Sequence, residues 1–227
     1  MKYLRPGLFL LVLAVLIGGA YMGWCWHRAR MPETALIEIA RAVREQDRTL
    51  FDAYIDTDAV LAAMHEDAAA LLAENIDALH ARHSADWFFR HDAAFMRSYM
   101  ADRRAADIAF ARAALDYYFD DARIPVSRED GNARWASDEM RAFAAGYTCT
   151  PGEVRIAEDR AEADVTVRGD ASAYGRLMPE AAVTMELARQ ADGRWKLVRI
   201  RTDAAHPAGF FAIIDGAERY WALQGWD

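Results

Sequence analysis

The hydrophobic period of this chain changes once, near residue 150, and that change limits the fold more than any single motif. Before it, apolar residues recur three and four apart; after it they alternate. One region must therefore bury helix stripes and the other a sheet face. "PETALIEIARAVREQD" places Leu36, Ile39, Ala40 and Val43 at helical spacing, with Pro32 in the first turn where its missing N–H costs nothing. Asp56 or Thr57 stands where a cap belongs for a second helix, "DAVLAAMHEDAAALLAENIDALHARH", carried on Val60, Leu61, Met64, Leu71, Leu72 and Leu79. A third helix is expected through "AAFMRSYMADRRAADIAFARAALDYYFDD", interrupted near Asp102. "PVSREDGNAR" reads as loop, and "ASDEMRAFAAGY" as a short helix ending at Gly146.

The later segments "EVRIAE" and "EADVTVRG" alternate on Val154 and Ile156 and on Ala163, Val165 and Val167. "AAVTMELARQADGRWKLVRIRTD" is the clearest hairpin, with Val183, Met185 and Leu187 before a turn at Asp192-Gly193 and Trp195 and Leu197 after it. Val198 and Ile200 have the opposite parity, so the last strand is apolar on both faces or contains a bulge. "PAGFFAIIDGAERYWALQGWD" closes the chain as a short amphipathic helix with an aromatic tail. Segregated helices and strands imply an α+β fold: a helical region, then a four-stranded antiparallel sheet and a short C-terminal helix.

Ahead of all this stands "LFLLVLAVLIGGAYMGWCWHRAR". From Pro6 to Trp26 there are 21 residues without a charge, and about 20 span the hydrocarbon of a bilayer as a helix. Gly18-Gly19-Ala20 offers a cleavage site for the alternative, a secretory signal. Trp24 before Cys25 excludes a lipoprotein signal. The apolar run continues past that site into aromatic rings and then cations, as at a lipid–water boundary. The sequence thus predicts an N-terminal transmembrane helix, residues 1–30, with Leu8, Phe9, Leu16, Trp24 and Trp26 as membrane-anchor residues and the lipid bilayer as partner. The bias of basic residues places residues 31–227 outside the cytoplasm of a single-pass cell-membrane protein.

Composition narrows the function. The chain is 54% hydrophobic and 11% aromatic, too apolar for disorder. Its net charge is −8; residues 1–30 hold four bases and no acid, so residues 31–227 carry 23 bases against 35 acids, a net −12. That excludes nucleic acid as a partner, because phosphate contacts need a basic surface. Two distant cysteines, Cys25 and Cys149, form no disulfide framework, and "GYTCTPGE" gives Cys149 no adjacent base.

Two resemblances attach to quoted stretches. "ALIEIARAVREQDRTLFDAYIDTDAVLAAM", behind an apolar segment and before a late sheet, resembles uncharacterised bacterial families with one N-terminal membrane anchor and a domain of unknown function. The ending "DGRWKLVRIRTD" is similar to the final hairpin of nuclear-transport-factor-two-like and cystatin-like folds. Neither implies catalytic residues.

Few groupings suggest chemistry. His80, His83 and His91, with Asp86 and Asp92, are the densest titratable cluster, but "HARHSADWFFRHD" lacks the HExxH spacing of a zinc site. They read as surface groups near a helix end, with no metal and no cofactor. His65-Glu66-Asp67 reads as a solvated helix face. Asp120-Asp121 reads first as an acidic helix end; the second reading has it face a pocket with Tyr117 and Tyr118 and serve as a general base. The aromatics read first as core, with an aromatic cavity or partner groove as the second reading. The expected function is a membrane-anchored, non-enzymatic binding or accessory domain of the cell envelope, taking a protein partner or an apolar ligand. The competing class is a small hydrolase or isomerase using Asp120 or Asp121 beside the sheet.

Overall fold

The computed structural model describes residues 30–120, 124 and 130–225. Seven helices are seen among the described residues: α1 (Pro32–Glu45), α2 (Arg48–Tyr54), α3 (Thr57–Glu74), α4 (Ile76–Arg82), α5 (Ala93–Asp120), α6 (Gly131–Gly146) and α7 (Phe210–Gln224). A 3₁₀ turn, Phe88–Arg90, precedes α5. Aspartates start four of the helices, Asp92 at α5 among them. The Asp47, Asp56 and Asp130 carboxylates accept N–H groups of the first turns of α2, α3 and α6, which supplies orphan donors with a partner. Asp56 is thus the cap of the second long helix, and Thr57 is its first residue. That helix is shorter than its pattern suggests. At Asn75 the side-chain amide donates to the Leu71 carbonyl at 2.9 Å, and the chain breaks there into α3 and α4. The reverse holds for α5, which runs through Asp102 without interruption.

The sheet is an antiparallel meander in the order β1 (Tyr147–Ala157), β2 (Arg160–Gly169), β3 (Glu180–Arg189), β4 (Trp195–Arg201). Ile156, Ala161, Leu187 and Leu197 stand in one row across it. Glu186 pairs with Arg199 and Leu187 with Leu197, so Val198 is an extra residue. This bulge is why Leu197 and Ile200, three apart, both reach the core side. α1 lays Ala35 and Leu36 on that side against Ala161, Ala163, Leu187 and Trp195. Ala40, expected on the same stripe, is exposed, as is Met64 of α3. The outer edge of β4 is closed by the chain itself: Ile55 bridges Leu197, and the Asp56 N–H donates to the Leu197 carbonyl at 2.9 Å.

A second apolar cluster lies away from the sheet. Leu72, Ala73, Ile76, Leu79, Phe89, Met96 and Phe210 pack where α3, α4, α5 and α7 meet. Polar anchors hold α7 in place. Arg82 makes a two-pronged ion pair with Asp215, and the Tyr220 hydroxyl donates to Glu139 of α6 at 2.9 Å.

The membrane architecture expected at the N-terminus needs correction. Among the described residues no helix is long and apolar enough to cross a membrane. α5, with 28 residues, has the length but carries Arg97, Asp102, Arg103, Arg104, Asp107, Arg112 and Asp116; each such charge costs about 2.5–3.5 kcal/mol at the centre of a bilayer. The α+β reading stands, with no transmembrane helix among the described residues, and the single-pass, extracytoplasmic cell-membrane localisation is not supported by them. Leu8, Phe9, Leu16, Trp24 and Trp26 lie outside the described residues.

Candidate functional site

α5 is apolar along two stripes. One, through Met96, Ala114 and Tyr118, is buried. The other takes Phe95, Tyr99, Ala106 and Phe110, whose spacing also keeps them on one side. Phe95 is 37% and Phe110 41% exposed. The chain before α5 extends this second stripe. Asp86 accepts the Phe88 N–H at 2.8 Å and shapes the 3₁₀ turn, and Asp92 accepts the Phe95 N–H at 2.8 Å and starts the helix. Between them stand Trp87, 63% exposed, and His91.

The rings form a continuous rank. Trp87 meets His91 edge-on at 5.7 Å between ring centres; His91 stacks on Phe95 at 3.9 Å, and Phe95 on Tyr99 at 5.8 Å. Phe88 braces it from the core side, 5.4 Å from Tyr99. At the far end the Arg103 guanidinium lies 5.6 Å from the Tyr99 ring centre and donates to Asp107 at 2.9 Å. Rings that hold one another are ordered before anything binds, which lowers the entropy lost on association.

The polar face of the sheet carries the other arrangement. Arg155, Glu162, Glu186 and Arg199 form a row across all four strands. Like charges directly opposite destabilise a sheet, and Arg201 offsets the Glu162–Glu186 pair, reaching them at 3.0 and 2.6 Å. Arg199 turns to Asp67 of α3, at 2.9 and 2.5 Å. A groove of about 540 Å³ runs over Ala59, Arg160, Ala188 and the Glu162, Glu186 and Arg199 side of this row, and another of about 730 Å³ lies between Asn75 and Arg201. A third, of about 330 Å³, is lined by Arg48, Asp52, Asp58 and Arg112. There Arg48 pairs with Asp52 and Asp116, and Arg112 with Asp58. In the first and third grooves the carboxylates are engaged by arginines, which leaves them poorly placed to meet a substrate proton.

The titratable residues singled out from the sequence do not converge. His80 is exposed on α4, and His91 belongs to the ring rank. His83 departs from the surface reading: its Nε2 lies 3.0 Å from Asp215 Oδ1, and its side chain is largely buried. Among the described residues no group of three or more His, Cys, Asp or Glu side chains is placed to hold a metal ion. His65 is also buried, 3.6 Å from Asp107, and Asp67 is ion-paired, so the solvated-face reading is corrected there. Asp120 ends α5 half-buried, and Asp121 lies outside the described residues. The neighbouring phenols have structural work. The Tyr117 hydroxyl accepts the Asp130 N–H at 2.8 Å, and the Tyr118 hydroxyl donates to the Val43 carbonyl at 3.0 Å. Cys149 is exposed on β1, yet the protein around its sulfur raises the thiol pKa, opposite to what a nucleophile needs.

No protein-family model and no curated protein matches the chain. Among solved structures, the crystal structure of the Kfla4162 protein from Kribbella flavida aligns with 37% of this chain and 63% of its own, at 19% identity and a TM-score of 0.21. A likeness at that level carries no argument about fold or function. The two resemblances drawn from the sequence stay expectations. The ring rank had a signal in the sequence, His91, Phe95 and Tyr99 each four apart, but a core helix facing inward gives the same spacing.

Proposed function

We propose that residues 31–227 form a non-enzymatic binding domain that docks a partner protein through the aromatic face formed by Trp87, His91, Phe95 and Tyr99. The observation that carries this is Trp87, 63% exposed at the head of an ordered rank of rings. Exposed Trp and Tyr beside Arg are the residue types that dominate binding energy at protein interfaces, and contiguous apolar surface of this kind marks interaction sites. A hydrolase or isomerase needs a cavity where an available carboxylate meets a second polar group. The sheet groove supplies Glu162 and Glu186, but both are engaged by Arg201.

A photo-crosslinking residue in place of Phe95 tests the reading. A discrete adduct with one partner protein is expected, lost in Trp87→Ala and absent when the crosslinker replaces Glu153 on β1. Equal adducts from both positions, or none from Phe95, would overturn it.

A further inference from the structure

We propose that the partner segment seated on this face is rich in Arg or Lys, its cations lying over Trp87 and pairing with Asp92 and Asp102; this rests on the docking reading above. Asp92, Phe95, Tyr99 and Asp102 are spaced three, four and three apart, so the two carboxylates flank the rings on one side of α5. Asp102 is exposed and has no ion-pair partner among the described residues, and Asp92 is exposed with its Oδ1 on the Phe95 N–H. The nearby cations are committed. Arg103 is held by Asp107, and Arg90 donates to the carbonyls of Ser84 and Ala85. Arg97 and Arg104 fall on the far side of the helix by their spacing from Phe95.

The rank already receives one guanidinium, Arg103 over Tyr99 at 5.6 Å. Trp87, the better cation–π ring, stands at the other end without one among the described contacts. The charge of the whole domain agrees. With 23 bases against 35 acids in residues 31–227, it attracts a basic segment from a distance and repels polyanions. A second copy is disfavoured on this face, since a two-fold contact brings like aspartates together.

Fluorescence anisotropy on the full chain tests the inference with labelled ten-residue peptides alternating Ser with Arg, Lys, Glu or Leu. The Arg peptide is expected to bind tightest, and more weakly as salt rises. Trp87→Ala should weaken it about tenfold and Asp102→Asn about threefold, while Glu153→Gln, with the same change of charge on β1, leaves it unchanged. Equal weakening by Asp102→Asn and Glu153→Gln means general attraction to an acidic protein and overturns the inference. Binding of the Leu peptide alone, sensitive to Trp87→Ala, keeps the docking face and overturns the cationic partner. Binding of the Glu peptide, or of single-stranded nucleic acid, overturns it as well.

Discussion

Trp195 and Trp87 place the same side chain in opposite circumstances, and each typifies its half of the molecule. Trp195 is 1% exposed under α1, its indole N–H on the Arg30 carbonyl at 3.0 Å and Arg189 4.8 Å from its ring centre. Trp87 is 63% exposed at the head of α5. The sheet half uses its large side chains to close one face, while the helical half has a core of its own and turns a second rank of rings outward. Apolar surface that a fold does not need for its core is the surface left for a partner. The largest expected effect follows: Trp195→Ala should lower stability by about 3–5 kcal/mol in chemical denaturation of the full chain. Trp87→Ala should stay within about ±0.5 kcal/mol. A loss above about 2 kcal/mol at Trp87 would make the ring rank structural and erase the contrast.

The halves also differ in how ion pairs act. In the helical half Asp215, its side chain 14% exposed, has its pKa lowered, first by the Arg82 hydrogen bonds and then by the Arg82 charge and His83. A carboxylate depressed in the folded state adds stability above its unfolded pKa of about 3.9, and loses it as pH falls through the lower folded value. Asp215→Asn should therefore cost about 1–2 kcal/mol at pH 7, with the gap from the parent closing below about pH 4. On the sheet, Asp164 is likewise lowered, first by Arg155, but its side chain is 60% exposed. Solvent screens that pair, so Asp164→Asn should shift the acid limb of the stability curve much less. Equal shifts would mean the two ion pairs are equally screened.

The sheet was the more legible half, for a physical reason. One face of an antiparallel sheet is buried, so the alternation on Ala161, Ala163 and Val165 or on Met185 and Leu187 reports burial directly, and even the extra residue at Val198 showed as a change of parity. The helices hide more. α5 carries a buried and an exposed apolar stripe, which blurs its period, and the break at Asn75 comes from one amide–carbonyl hydrogen bond inside an otherwise helical run. The candidate site is made of contacts between His91, Phe95 and Tyr99 whose residue types also suit a core. His65 and His83 were read as surface groups, because their partners Asp107 and Asp215 stand on other helices.

A smaller effect probes the helical half from inside. Ser137 of α6 is 0% exposed, and its hydroxyl oxygen has no hydrogen-bond partner. A buried hydroxyl left unpaired costs about 1–3 kcal/mol, while alanine keeps nearly the same volume and favours the helix. Ser137→Ala should raise stability by about 1 kcal/mol in thermal or chemical unfolding. A loss instead would reveal a partner for the hydroxyl and make this position part of the polar framework.

The smallest expected effect sets the two halves side by side at one backbone conformation. Glu158 and Gln46 both have φ of 54°, the left-handed region that glycine enters without strain. Glu158 is the first residue of the two-residue turn closing β1 onto β2, where Ala157 pairs with Arg160; turns of that geometry favour glycine at that place. Gln46 ends α1, where glycine is equally favoured. A non-glycine residue there costs about 1–2 kcal/mol, and glycine's greater freedom in the unfolded chain returns about 0.5–1 kcal/mol of that. Glu158→Gly and Gln46→Gly should therefore each gain about 0.5 kcal/mol, and because they share no partner the double variant should gain about 1 kcal/mol. If Glu158→Gly destabilises while Gln46→Gly does not, the β1–β2 turn holds another conformation in solution. The register of the exposed edge strand would then need reassignment, while the helix cap would stand.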